Sequence, residues 1–224
     1  MVKISKVALC WISSFLAALI LLFILMLSNT FALAFSETWY RLEFYRLNIY
    51  GELEQVGIAR EDAESFINTF PDFLVGRASL SEGIFSVEEA SHLNDVKNLF
   101  KFGFKVYIVC LAGLLMMLAV STAMLDNFFV GLRKMIFATF FLVIILGFSV
   151  CFRNVFSAAF IGFHAIFFKM GNWQFPLGSR ILIFFPERFF MDGLFFVLIA
   201  TAIEEVILFL IMKILFDNAK KQKI

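Results

Sequence analysis

The chain holds two histidines, His92 and His164, 72 residues apart and in opposite surroundings. His92 lies in SVEEASHLNDVKNLF, residues 86–100. Ser86 and Glu89 stand at capping-box spacing, each able to bond the other's backbone N–H, so a helix is predicted from about Val87. On that helix Glu88 lies one turn before His92 and Asp95 one turn after it, which puts all three on one face. A neighbouring carboxylate can fix an imidazole's tautomer and raise its basicity; the plainer alternative is a solvated polar face. Lys97 follows on the same helix, and Val96, Leu99 and Phe100 form its apolar side. His164 instead sits among Phe160, Phe163, Phe167 and Phe168, with Asn172 and Trp173 downstream. An imidazole in such surroundings is costly in a membrane unless it has a partner or lines a wet cavity.

Two imidazoles can carry only a few chemistries. Zinc takes three or four protein ligands, and only Glu88 or Asp95 could add to the pair. Haem ligation needs two facing helical histidines. A non-enzymatic membrane protein binding metal or haem through His92 and His164 is therefore one reading. No G-x-S-x-G elbow announces a serine hydrolase. Glu204 and Glu205 resemble the paired glutamates of membrane-embedded CAAX-type proteases, but no histidine follows them; pairing with Arg133, Lys134 or Lys213 explains them better. Acyl transfer without an enzyme nucleophile is the other reading. It needs a base for the attacking group, a donor for the tetrahedral oxyanion, and two substrate groups held together. His164, in apolar surroundings, suits a neutral base. His92, beside carboxylates, suits a protonated donor.

The elements that must position these side chains are membrane helices. Of the 224 residues 62% are hydrophobic and 33 are phenylalanine, and the mean hydropathy is +0.91. That is too apolar for a soluble domain of this length. A span needs about 20 apolar residues, and four runs qualify: 7–28, 104–125, 135–152 and 191–215. The first is about twice the usual h-region of roughly 7–15 residues, so it reads as an anchor despite the peptidase-like ALA at 32–34. Eight Lys and Arg flank one side of the membrane: Lys3, Lys6, Arg133, Lys134, Lys213, Lys220, Lys221 and Lys223. The long segments 36–103 and 153–190 hold ten spread over 106 residues, and the first of them carries twelve acids to six bases. The second dissents, with four bases to one acid. The density rule puts both termini in the cytoplasm and both long segments outside. The fold class is thus an all-α polytopic membrane protein, a single integral domain of four transmembrane helices with a small extracytoplasmic cap. Both histidines then lie at one level, the outer interface.

Within the cap, ETWYRLEFYRLNIY interleaves Trp39, Tyr40, Tyr45 and Tyr50 with Arg41 and Arg46, the composition of an interfacial aromatic belt. Ala63, Phe66, Ile67 and Phe70 recur at helical spacing, a stripe that Pro71 is expected to end. Cys10, Cys110 and Cys151 fall in apolar spans, so no disulfide framework or CxxC site is expected. The net charge of +1 and the absence of a basic cluster point away from nucleic acid. No cofactor is implied, and oligomeric state is not legible.

Four separated motifs on this four-span layout carry a resemblance. FS-x-E-E-x-x-H-x-x-D-V-K (Phe85 to Lys97), the Phe163–His164 pair, NW-x-F (Asn172 to Phe175), and the Leu–Ile pair before Pro186 with its aromatics resemble the bacterial lipoprotein intramolecular transacylases. Motif order, loop lengths and hydropathy agree over nearly the whole chain. One departure is that Ser179–Arg180 stands where an acidic residue is expected. The resemblance implies an acyltransferase of the bacterial cell membrane with its active site at the extracytoplasmic face. It would move the sn-2 acyl chain of a diacylglyceryl lipoprotein onto the α-amino group of that protein's N-terminal cysteine, giving the lyso form. It implies His92 and His164 as catalytic residues, supported by Glu88, Asp95, Lys97, Asn172 and Trp173. Its partners would be diacylglyceryl-modified lipoproteins and membrane lipid.

Overall fold

Among the described residues, the computed structural model is built of helices: α1 (Lys6–Ala34), α2 (Glu37–Arg46), α3 (Ile49–Gln55), α4 (Arg60–Val75), α5 (Val87–Met124), α6 (Phe128–Val150), α7 (Arg153–Phe167), α8 (Arg180–Phe184) and α9 (Glu187–Lys221). The structure describes residues 5–80, 83–125, 127–168 and 171–221, the last six by backbone alone. Lys3 and Lys223, which entered the charge count, lie outside the described residues. Four stretches are long and apolar enough to cross a membrane: Lys6–Ala34, Val87–Met124, Phe128–Val150 and Arg180–Leu215. α5 has 38 residues, about 57 Å at 1.5 Å per residue and roughly twice a hydrocarbon core. We read its apolar part, from about Phe104 onward, as the crossing segment. The chain divides into two compact units.

The first unit comprises residues 1–29, 106–148 and 196–224. The Ser13 and Ser121 hydroxyls meet at 2.6 Å, and Ser14 Oγ donates to the Phe128 carbonyl at 3.2 Å. Gly131 approaches Ser14 so closely that a Cβ there would stand 2.4 Å from Ser14 Oγ. Small residues that let backbones approach are how helices pack in lipid, where no hydrophobic force drives them together. Ala17, Ala18, Leu114, Leu132 and Ile136 fill the contact, while Phe141, Ile145 and Phe148 are exposed, as a lipid-facing surface requires. Arg133 and Lys134, expected in a tight loop, instead stand on the second turn of α6. Burial of Phe128 and Leu132 carries that helix back beyond the predicted start at 135. Lys134 Nζ lies 5.3 Å over the Trp11 ring.

The two glutamates of α9 also depart from expectation. Glu205, 2% exposed, accepts from Thr139 Oγ1 at 2.6 Å. Glu204 accepts from Asn29 Nδ2 at 2.9 Å, and the same amide reaches Thr201 Oγ1 at 3.2 Å. Neutral amide and hydroxyl donors thus replace the expected basic partners. The cause is register: Glu204 is level with Asn29 near the end of α1, whereas Lys134 is level with Trp11 near its start.

The second unit comprises residues 30–105 and 149–195, built around a phenylalanine-rich core. The α4 stripe of Ala63, Phe66, Ile67 and Phe70 continues through Phe73 and Leu74, all buried. Pro71 does not end it. The helix runs to Val75 and stops at Gly76, whose φ of 84° is left-handed. A helix-interior proline costs about 3 kcal/mol, and burying Phe70, Phe73 and Leu74 at roughly 1.5–3 kcal/mol each outweighs it. Part of the aromatic run at 37–50 packs into this core. Tyr40 and Tyr50 are buried; Tyr40 Oη donates to the Ala34 carbonyl at 2.9 Å, and Tyr50 Oη donates to Glu64. Arg41 pairs with Glu37 and Glu64, and Arg46 with Glu43 and Asp192. Tyr40 and Tyr50 thus belong to the folded core, whereas Tyr45 of the same run is 77% exposed.

Candidate active site

α5 starts where the capping box predicts. The Ser86 N–H bonds Glu89 Oε2 at 2.7 Å, and the Glu89 N–H bonds Ser86 Oγ at 3.2 Å. The other Glu89 oxygen accepts the Ile181 N–H at 3.0 Å, so one buried carboxylate joins the start of α5 to α8. Arg180 makes a second tie, donating to the Gly83 and Ile84 carbonyls at 2.7 and 2.8 Å. One turn further along the helix, His92 is 6% exposed.

The two imidazoles meet there. Their ring centroids are 6.0 Å apart and their planes differ by 26°. Phe168 borders both, 4.7 Å from His92 and 5.3 Å from His164. Phe175 flanks His92 at 5.6 Å, while Phe160 and Trp173 flank His164 at 4.2 and 5.1 Å. His164 Nδ1 lies 2.8 Å from the Phe160 carbonyl one turn earlier. A carbonyl only accepts, so Nδ1 carries the proton and the neutral ring keeps its lone pair at Nε2.

Burial lowers the His164 pKa from its ordinary value, against the pull of that backbone bond. It pushes His92 further, down to about 4, helped by His164 and opposed by Asp95. Both rings are therefore neutral at pH 7. The expectation of a protonated His92 is corrected, because desolvation outweighs a carboxylate that is bonded elsewhere: Asp95 Oδ2 accepts from Asn172 Nδ2 at 2.6 Å. Glu88 is exposed and accepts from Ser86 Oγ at 3.0 Å; its own backbone N–H, then Ser86, holds its carboxyl below the usual range. Lys97 donates to Asn94 Oδ1 at 2.7 Å and lies 4.6 Å over the Phe73 ring. Of the supporting residues, Trp173 touches a histidine ring, Asp95 and Asn172 join each other beside the pair, and Glu88 and Lys97 are engaged elsewhere.

Two buried polar atoms of this site, His92 Nδ1 and Asn172 Oδ1, have no hydrogen-bond partner among the described residues. Such an atom costs about 1–3 kcal/mol. A cavity of about 660 Å³ is lined in part by Phe85, Glu88, Asn172, Gln174, Phe175 and Arg180. Among the described residues, no group of three or more His, Cys, Asp or Glu lies together in a way that could hold a metal ion. Sequence reasoning missed the contacts of Phe168 and Phe175 with His92, the bond from the Ile181 N–H to Glu89, and the ties made by Arg180. For Arg180 a signal existed, since it stands where an acid is expected.

The family model described as "Lipoprotein intramolecular transacylase Lit" matches residues 14–190. In fold, the chain is similar to the in meso structure of the membrane integral lipoprotein intramolecular transacylase Lit from Bacillus cereus, with a TM-score of 0.73 at 17% identity. That alignment covers 96% of this chain and 97% of the other. A histidine-to-arginine variant of the same protein gives 0.74 at 16% identity, covering 96% and 95%. A histidine-to-alanine variant gives 0.73 at 16%, covering 95% and 96%. No curated protein sequence matches the chain.

Proposed function

The chain belongs to the lipoprotein intramolecular transacylase family, and from that premise we propose how this multi-pass membrane acyltransferase uses its two histidines. The substrate is a diacylglyceryl lipoprotein whose N-terminal cysteine is already exposed. The cysteine amine attacks its own sn-2 ester carbonyl. A C–N bond forms, the C–O bond to glycerol breaks, and the amine proton ends on the glycerol oxygen. The product is the lyso form, with one ester-linked and one amide-linked chain.

His164 is the base and His92 the donor. The attacking nitrogen becomes cationic and strongly acidic as the C–N bond forms, so a neutral imidazole, even one lowered by burial, can take its proton. His164 Nε2 is the lone pair left by the bond to Phe160. His92, neutral, donates a ring N–H to the oxyanion. His164, then protonated, returns its proton to the departing glycerol oxygen. Amine and ester belong to one molecule, so holding them in register substitutes for an enzyme nucleophile; effective molarities of about 10⁵ M or more attend such pairs. The Asp95–Asn172 bond holds the segment whose Trp173 and Phe175 bracket the rings.

We read the chain as one integral membrane domain with both termini cytoplasmic and the site at the extracytoplasmic face. The density of Lys and Arg beside the spans supports that side, and the near coincidence of the second unit, 30–105 and 149–195, with the two long segments supports their lying together. Acyl chains then lie among the spans, in contact with membrane lipid. The observation that carries the mechanism is the pair of imidazoles with ring centroids 6.0 Å apart. The test is the N-terminal mass spectrum of cellular lipoproteins with and without this chain. Appearance of the lyso form is expected, and an unchanged spectrum at confirmed expression overturns the proposal.

A further inference from the structure

α5 carries a ladder of cations on the side turned away from its histidine. Lys97, Lys101 and Lys105 recur every four residues, which stacks them along one face of the helix. Lys101 comes nine residues after His92, about two and a half turns, and so stands on the opposite face. The end of α4 adds to the ladder. Lys101 Nζ lies so near Gly76, the C-cap of α4, that a Cβ there would stand 2.9 Å from it. Lys97 Nζ lies 4.6 Å over the ring of Phe73, in the last turn of the same helix, and Arg77 directly follows Gly76.

Little negative charge answers these four cations. Asp72 meets Arg77 at 3.8 Å, with both side chains exposed, and Lys97 donates to the neutral Asn94 at 2.7 Å. Lys101 and Lys105 are exposed, and neither makes an ion pair or hydrogen bond among the described residues. Phe102 and Phe104 flank them, 57% and 54% exposed, and the apolar run of α5 begins at about Phe104. Exposed phenylalanines where a helix enters the hydrocarbon face lipid, and lysine stems among them carry their charged heads up to the headgroups. Successive rungs are about 6 Å apart at 1.5 Å per residue. That step is close to one headgroup layer, roughly 5–8 Å a side, so Lys101 and Lys105 bracket the lipid phosphates. A zwitterionic headgroup brings a cation of its own, which these ammonium groups repel. An anionic headgroup brings phosphate without it.

We propose that the patch formed by Arg77, Lys97, Lys101 and Lys105 binds an anionic phospholipid of the bilayer, its phosphate seated between Lys101 and Lys105. A basic group close to a membrane surface favours anionic lipid roughly fivefold. The seated lipid is distinct from the acylated substrate, whose diacylglyceryl group carries no phosphate, so the site exists with or without acyl transfer.

The test takes the full-length protein from vesicles that hold phosphatidylcholine and phosphatidylglycerol in equal amounts. The protein is released in a mild detergent, and the lipids it retains are identified by native mass spectrometry. The wild-type chain should keep phosphatidylglycerol in preference to phosphatidylcholine. Lys101→Gln combined with Lys105→Gln should lower that preference by roughly fivefold or more. Lys101→Arg combined with Lys105→Arg, which keeps both charges, should preserve it. Both positions are exposed, so these changes leave the core intact. Equal retention of the two lipids by the wild-type chain overturns the proposal, and so does an undiminished preference in the double glutamine variant.

Discussion

At the residue scale, the account turns on two imidazoles kept neutral by burial, with one tautomer fixed by a carbonyl. His92, pushed down to about 4, gains no proton as pH falls from 8 to 6, and burial holds His164 below its ordinary value as well. The substrate amine does gain one. kcat/KM should therefore rise with pH and level off near about 7.7–8.0, the range of an α-amine. A limb centred near histidine's ordinary 6.5, measured in the purified protein, would contradict the burial argument. Asp95 offers a second test. It is bonded to Asn172, so Asp95→Asn, which still presents a carbonyl acceptor, should keep most activity. Asp95→Leu should lose about tenfold or more, since a charge-assisted bond contributes about 1.5–3 kcal/mol. Comparable loss in both variants would return Asp95 to the role of tuning His92. The sequence revealed the histidines and their neighbours within one helical turn, because those contacts follow from 3.6-residue geometry. It could not reveal that desolvation would beat the carboxylate, since the burying rings come from residues 168 and 175.

At the element scale, the first turn of α5 is the piece that fixes His92, and Glu89 holds it from both sides. Its two oxygens accept the N–H groups of Ser86 and Ile181. Glu89→Gln keeps one acceptor and turns an amide N–H toward a backbone donor, so it should destabilise by about 1–3 kcal/mol. A lowered Tm, with His92 less well held, is the expected result; an unchanged Tm would show that the tie to α8 carries no weight. The capping box was legible because it needs only three residues of spacing. The tie from residue 89 to residue 181 was not, because no local pattern links them. The α4 stripe was legible too, but its end was misjudged. A proline rule weighs the lost hydrogen bond, and the burial of Phe73 and Leu74 beyond it is a tertiary fact.

At the scale of the whole molecule, the hydropathy runs foretold an all-helical membrane chain, and the two long segments between them nearly coincide with the second unit; the contacts between distant residues inside each unit left no local pattern to read. The mechanism needs the histidine unit outside the cell. A cysteine introduced at Ser179 should react with membrane-impermeant maleimide on intact cells, and one at Asn218 should react only after lysis; the reverse pattern would remove the site from its substrate. The central claim is that His92 and His164 serve one transition state. Groups acting on one transition state are not additive, so losing both should cost little more than losing either. The most direct measurement is the fraction of lyso-form lipoprotein, read by mass spectrometry, in cells expressing His92→Ala, His164→Ala and the double variant at matched levels. The account predicts that each single variant loses nearly all conversion and that the double variant falls little further. Robust conversion by either single variant would contradict it.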